Sequence, residues 1–134
     1  MEANLYFDGG VRQGVMAYGY LLVKPNDEKY IIATGNKTCG FGSSNIAEYR
    51  ALIAGLKRAL SEKIDVIHIM GDSQLVIKQV TKVFKVNKLE LKKHCDYILE
   101  LLNKFDYYTI KWIPRKQNKR ADKLVDDVFK KRQH

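Results

Sequence analysis

The sequence predicts an α/β fold: a mixed five-stranded sheet flanked by helices. Three apolar, strand-like runs follow one another before residue 40, and a tight-turn signal joins two of them. Two further strand-like runs come later, and each is preceded by a helical pattern. Consecutive strands joined by a tight turn form an antiparallel meander. Strands separated by helices add in parallel through right-handed crossovers. Helices then pack on the faces of such a sheet.

The elements follow in order. Residues 3–8 (ANLYFD) are apolar and aromatic and stop at Gly9-Gly10, which reads as a strand and a turn. Residues 16–24 and 29–38 are two more strands, with Pro25-Asn26-Asp27 as the hairpin signal between them. Residues 39–44 (CGFGSS) read as a loop. Tyr49, Leu52, Ile53, Leu56 and Leu60 then recur at helical spacing, with Asn45 as the N-cap. Residues 64–70 (IDVIHIM) form a strand stopped at Gly71, and residues 73–81 form a short helix. Residues 82–88 are a basic connector. Residues 89–104 make a helix with Leu91, Cys95, Ile98, Leu99 and Leu102 on one face. Residues 107–113 form the last strand, ended by Pro114. Residues 117–131 form the last helix, with Ala121, Leu124, Val125, Val128 and Phe129 inward.

A chain of 134 residues points to a single domain over 1–134, long enough to bury a core. No apolar run nears the roughly 18 residues of a membrane span, and no signal peptide is visible. Cys39 and Cys95 lack metal-ligand or CxxC spacing and read as free thiols. A cytoplasmic protein with no membrane association and no obligatory protein partner is expected. The net charge of +9 is unevenly placed. Residues 1–48 carry four basic and five acidic side chains, a net of −1; residues 111–134 carry nine and three, a net of +6. Such asymmetry suits a phosphate-bearing partner, although a solvated basic surface has the same composition.

Four acids stand out by their settings: Asp8 in LYFDGG, Glu48 in SSNIAEYRAL, Asp72 in IMGDSQLV and Asp122 in QNKRADKLV. Each has an ordinary reading. Asp8-Gly9 matches a turn, Asn45-x-x-Glu48 a capping box, Asp72 an N-cap and Asp122 a solvated helix face. Taken together they suggest more. If the first and fourth strands are neighbours, Asp8 and Asp72 stand side by side at the strand ends, where open α/β sheets bind ligands. Four carboxylates from four elements suit a pair of Mg²⁺ ions, which prefer oxygen ligands. Two such ions about 3.5–4 Å apart can clamp the attacking and leaving oxygens of a phosphodiester.

In order and surroundings, YFDGG, the NIAE helix start, GDSQLV and NKRAD resemble type 1 ribonuclease H, from Leu5 to about Phe129. The resemblance implies the ribonuclease H-like fold and endonucleolytic cleavage of the RNA strand of an RNA–DNA hybrid, leaving 5′-phosphate and 3′-hydroxyl ends. It implies two Mg²⁺ ions, for which Mn²⁺ substitutes. Asp8 would be shared by both metals, Glu48 and Asp72 would complete the leaving-group side, and Asp122 would help hold the metal that activates water. Ser43, Ser44, Asn45 and Gln74 match positions that contact the nucleic acid; Asn118, Lys85 and Lys88 are assigned to the same surface.

The chain departs from the family pattern in three places. Many members carry a histidine in the loop before the last helix; here IPRKQN has none, and Arg115 is its expected replacement. Arginine stays protonated, so Arg115 would bind phosphate or ease metal exchange but cannot act as a base. His68 and His94 read as structural, and His134 falls at a terminus where disorder is expected. The large basic handle of some members is reduced to KVFKVNKLELKK, whose Lys82, Lys85, Lys88, Lys92 and Lys93 could grip the DNA strand. The chain also begins directly at its first strand, with no hybrid-binding domain expected before it. The alternatives are the same fold with broader substrates including double-stranded RNA, a non-catalytic nucleic-acid-binding homologue, and a domain of a reverse transcriptase or transposase-like protein.

Overall fold

The structure, a computed structural model, describes residues 1–132; His134 lies outside them. Five strands and four helices appear among the described residues: β1 Glu2–Arg12, β2 Val15–Lys24, β3 Asp27–Phe41, α1 Ser44–Ser61, β4 Val66–Gly71, α2 Gln74–Val80, α3 Leu89–Leu102, β5 Tyr107–Trp112 and α4 Lys119–Arg132. A short 3₁₀ turn, Arg115–Gln117, precedes α4. The sheet order is β3-β2-β1-β4-β5. β1, β2 and β3 pair antiparallel, and β1, β4 and β5 pair parallel, as the element order predicts.

Alternation along the strands builds two apolar layers. Ala3, Leu5 and Phe7 of β1 and Met16, Tyr20 and Leu22 of β2 meet Tyr49, Leu52 and Leu56 of α1, with Ile67 and Ile69 of β4 and Ile98 of α3 in the same core. On the opposite face, Val15 and Ala17 meet Val125 and Phe129 of α4. β2 is therefore buried on both sides. Gly19 lets α4 come close, since a Cβ there would lie 2.8 Å from Leu124 Cβ.

Local expectations needed correction where packing intervenes. β1 does not turn at Gly9-Gly10. It runs on to Arg12, and the turn falls at Gln13-Gly14, both at positive φ as a tight two-residue hairpin requires. Gly9 and Gly10 are extended instead, because α1 crosses over Gly9 and α4 over Gly10. Residues 39–41, read as loop, prolong β3, since β2 still offers a partner at Val15. Ser43, not Asn45, caps α1: its hydroxyl accepts from the Ile46 amide at 3.2 Å. Ser73, not Asp72, caps α2, accepting from Val76 at 3.2 Å. The capping-box reading of Glu48 fails as well, because its carboxylate turns away from its own helix toward β1.

Candidate metal centre and nucleic-acid face

Strand register sets the centre. The last parallel pair of β1 and β4 is Phe7 with Gly71, so Asp8 and Asp72 each follow the point where that pairing stops. Asp8 alternates onto the α4 side of the sheet, the side Gly10 also faces. Glu48 arrives from the first turns of α1, and its Oε1 accepts from the Gly9 amide. Ligand oxygens of Asp8, Glu48 and Asp72 all lie within 4.8 Å of one another. Asp8 and Glu48 are buried, at 7% and 8% exposure.

Such crowding is unfavourable for three negative charges. Burial, then the Asp72 charge, then the neighbouring Asp122 raise the Asp8 pKa to about 7. Burial, followed by the Asp8 and Asp72 charges, raises Glu48 well above its ordinary value. A buried carboxylate cluster of this kind is a hard-oxygen donor set that a divalent cation would relieve.

Asp122 lies outside that trio but beside Asp8. It lines the same cavity of about 290 Å³, together with Arg115, Gly9, Gly10, Arg12 and Asp126. Its Oδ1 accepts from Arg115 at 3.4 Å, and both side chains are open to solvent. The cavity thus has an acidic floor and cationic groups at its wall. Arg115 opens the short 3₁₀ turn before α4, and Asp122 keeps it firmly protonated.

The predicted nucleic-acid residues divide into three groups. Ser43, Asn45 and Lys88 line one cavity of about 390 Å³ between the end of β3 and the start of α3. Ser44, Gln74 and Lys85 are exposed but outside it. Asn118 is placed differently from expectation: at 1% exposure it is turned inward, donating to Phe7 O at 2.9 Å and to Asp72 Oδ2 at 3.0 Å. Its position four residues before Asp122, at the head of a helix, is the only local signal for that role.

Sequence reasoning missed other contributors. Phe41 is 82% exposed at the mouth of the Ser43–Lys88 cavity. Trp112 donates its indole N–H to Asp72 O at 3.1 Å. Arg50 joins α1 to the Cys39 carbonyl of β3 and to His94 at 3.5 Å. His94 and His68 are tied into the scaffold, His68 through Thr109 and Glu2 and His94 through the Glu90 carbonyl.

Five-stranded mixed sheet, flanking helices and an acidic centre at the β1/β4 switch define a ribonuclease H-like protein. Residues 6–128 match the reverse transcriptase-like family. Ribonuclease HI of the archaeon Halobacterium salinarum is 41% identical over 130 residues, covering 96% of this chain and 64% of that protein. Its RNase H1 crystal structure superposes with a TM-score of 0.93 at 38% identity, over 98% of this chain and 99% of that one. LC11-RNase H1, solved in complex with an RNA/DNA hybrid, superposes with a TM-score of 0.89 at 26% identity, over 98% and 99% of the two chains. Bifunctional protein Rv2228c of Mycobacterium tuberculosis is 32% identical over 96% of this chain and 36% of its own length. This chain therefore spans between about a third and two thirds of these two curated relatives. The chain belongs to the type 1 ribonuclease H family.

Proposed function

We propose that the protein is an endonuclease that hydrolyses the RNA strand of RNA–DNA hybrids, leaving 5′-phosphate and 3′-hydroxyl ends. The observation that carries this reading is the convergence of Asp8, Glu48 and Asp72 where the parallel pairing of β1 and β4 ends. The hybrid held by LC11-RNase H1 supports the substrate class. Asp8, Glu48 and Asp72 would hold one Mg²⁺, and Asp122 would join Asp8 in holding a second; Mn²⁺ would serve in the same sites. Such ions supply fixed positive charge for a phosphodiester transition state and a more acidic water.

The protein's own groups do the rest. Gly9 N–H fixes the Glu48 carboxylate against β1. Arg115, charged and exposed beside Asp122, would bind a phosphate at the cavity wall. Ser43, Asn45 and Lys88 would line the path of the hybrid, with Ser44, Gln74 and Lys85 beside it. Asn118 would serve from beneath the centre instead of on that path. Residues 1–134 would act as one catalytic domain, which the continuous core from β1 to α3 supports. No helix among the described residues is long and apolar enough to cross a membrane. A reducing, cytoplasmic setting is supported by the free thiols of Cys39 and Cys95.

The test is cleavage of an end-labelled RNA–DNA hybrid beside double-stranded and single-stranded RNA, each with Mg²⁺, Mn²⁺ or chelator. Cation-dependent cutting of the hybrid's RNA strand alone is expected. Cutting of double-stranded RNA as well would widen the substrate range. Hybrid binding without any cutting would make the chain a binding module.

A further inference from the structure

The end of β5 and its connection to α4 hold the Gly71-Asp72 turn at three points, two of them on Asp72. Ile113 N donates to Gly71 O at 2.9 Å, Trp112 Nε1 to Asp72 O at 3.1 Å, and Asn118 Nδ2 to Asp72 Oδ2 at 3.0 Å. The same Asn118 nitrogen donates to Phe7 O at 2.9 Å, the residue before Asp8. Both neighbours are acceptors, so only the NH₂ end of the amide can face them. Its two hydrogens are thereby used, one for each strand, at the point where β1 and β4 stop pairing.

We propose that Asn118 is a positioning residue that orients the Asp72 carboxylate for a divalent cation and locks it to the helix bearing Asp122. This rests on the reading of Asp8, Glu48 and Asp72 as a cation site. One oxygen of Asp72 is taken by the amide, which leaves the other for the cation. Asn118 O also accepts from Asp122 N at 3.0 Å, so one residue joins the Asp72 side chain to the backbone of a second acid. Burial excludes a direct contact with nucleic acid. A purely space-filling role is disfavoured by the other end of the amide: Asn118 Oδ1 is buried with no hydrogen-bond partner among the described residues. An unpaired buried acceptor is destabilising, and an apolar side chain there would avoid it. Retention of the amide fits a need for its donors. Outer groups that orient metal-binding carboxylates commonly set affinity by about 10–100-fold.

The experiment is Mn²⁺ titration calorimetry on the full chain without nucleic acid, comparing wild type, N118A, D72A and the double variant. Hybrid cleavage at limiting and excess Mn²⁺ is measured alongside. Asn118→Ala is expected to weaken Mn²⁺ binding by about 10–100-fold. It should lower kcat at limiting Mn²⁺, recover partly in excess, and leave KM for the hybrid unchanged. In the Asp72→Ala background the second substitution should cost no further affinity, because its effect runs through Asp72. Unchanged Mn²⁺ affinity in N118A, beside a weakened D72A, would overturn the Asn118 assignment alone. Wild-type protein that takes up no Mn²⁺ would overturn the cation site and this assignment with it. If circular dichroism shows N118A unfolded, the same titration on Asn118→Ser, which keeps a single donor, decides: weakened binding supports the assignment and wild-type binding overturns it.

Discussion

Asp8 is held near neutrality by its surroundings, with a pKa of about 7 against an ordinary 3.8, first through burial and then through Asp72. A carboxylate whose pKa is higher in the fold than in the unfolded chain keeps its proton longer in the fold. Stability is therefore present below about pH 4 and declines as pH rises toward 7. Glu48 acts in the same sense. Asp8→Asn should then raise the melting temperature of the cation-free protein at pH 8, with a gain that shrinks toward pH 4. Melts in chelator across that range test this, and an Asn variant that melts lower at pH 8 would contradict it. Added Mg²⁺ should stabilise the wild type and leave Asp8→Asn almost unaffected. Asp72→Asn should abolish cleavage and retain hybrid binding, since removing a negative charge does not repel phosphate. Gel shifts beside the cleavage assay check both halves, and near wild-type turnover would remove Asp72 from the site.

At the scale of elements, the contact of β1 with α1 is what delivers Glu48. A Cβ on Gly9 would run into the Ala47 carbonyl and the Glu48 amide, backbone atoms that cannot swing aside. Gly9→Ala should therefore push α1 off β1, costing at least the roughly 1–3 kcal/mol of an overpacked core. Activity should fall further than stability explains, because the Gly9 N–H that holds Glu48 moves as well. Denaturant melts paired with cleavage rates would show this; a stable, fully active variant would mean that the close approach is dispensable. Asn36→Ala would be a milder comparison: its amide donates to Leu124 O at 2.7 Å, linking β3 to α4 without touching an acid.

The whole molecule presents basic side chains around an acidic centre. Association with a polyanion then releases counterions, and affinity falls steeply with salt, with a log–log slope near −0.9 per neutralised phosphate on a B-form duplex. Lys88 shares a cavity with Ser43 and Asn45 and is exposed. Lys88→Ala should weaken hybrid binding about equally across sequences and flatten the salt slope by about one. Fluorescence anisotropy at four or five NaCl concentrations measures that slope; an unchanged slope would return Lys88 to the solvated surface.

Local pattern alone determined much of this protein. Short apolar runs ended by glycine or proline, and apolar residues at helical spacing, located nine elements, since each strand or helix must bury an apolar face. The neighbours of Asp8, Glu48, Asp72 and Asp122 marked all four acids before any contact was known. Ends of elements were less legible: Ser43 and Asn45 are both good caps, and only the path of the chain out of β3 decides between them. Gly9-Gly10 carries a turn signal, yet it became extended strand because two helices need the room. Asn118 reads as a polar loop residue until β1, β4 and the head of α4 meet around it. Tertiary structure alone decided that Phe7 pairs with Gly71 across more than sixty residues of chain, and hence which acids share a site. The reason is physical: periodicity encodes which face of an element is buried, whereas register and close approach depend on what the other elements bring to that face.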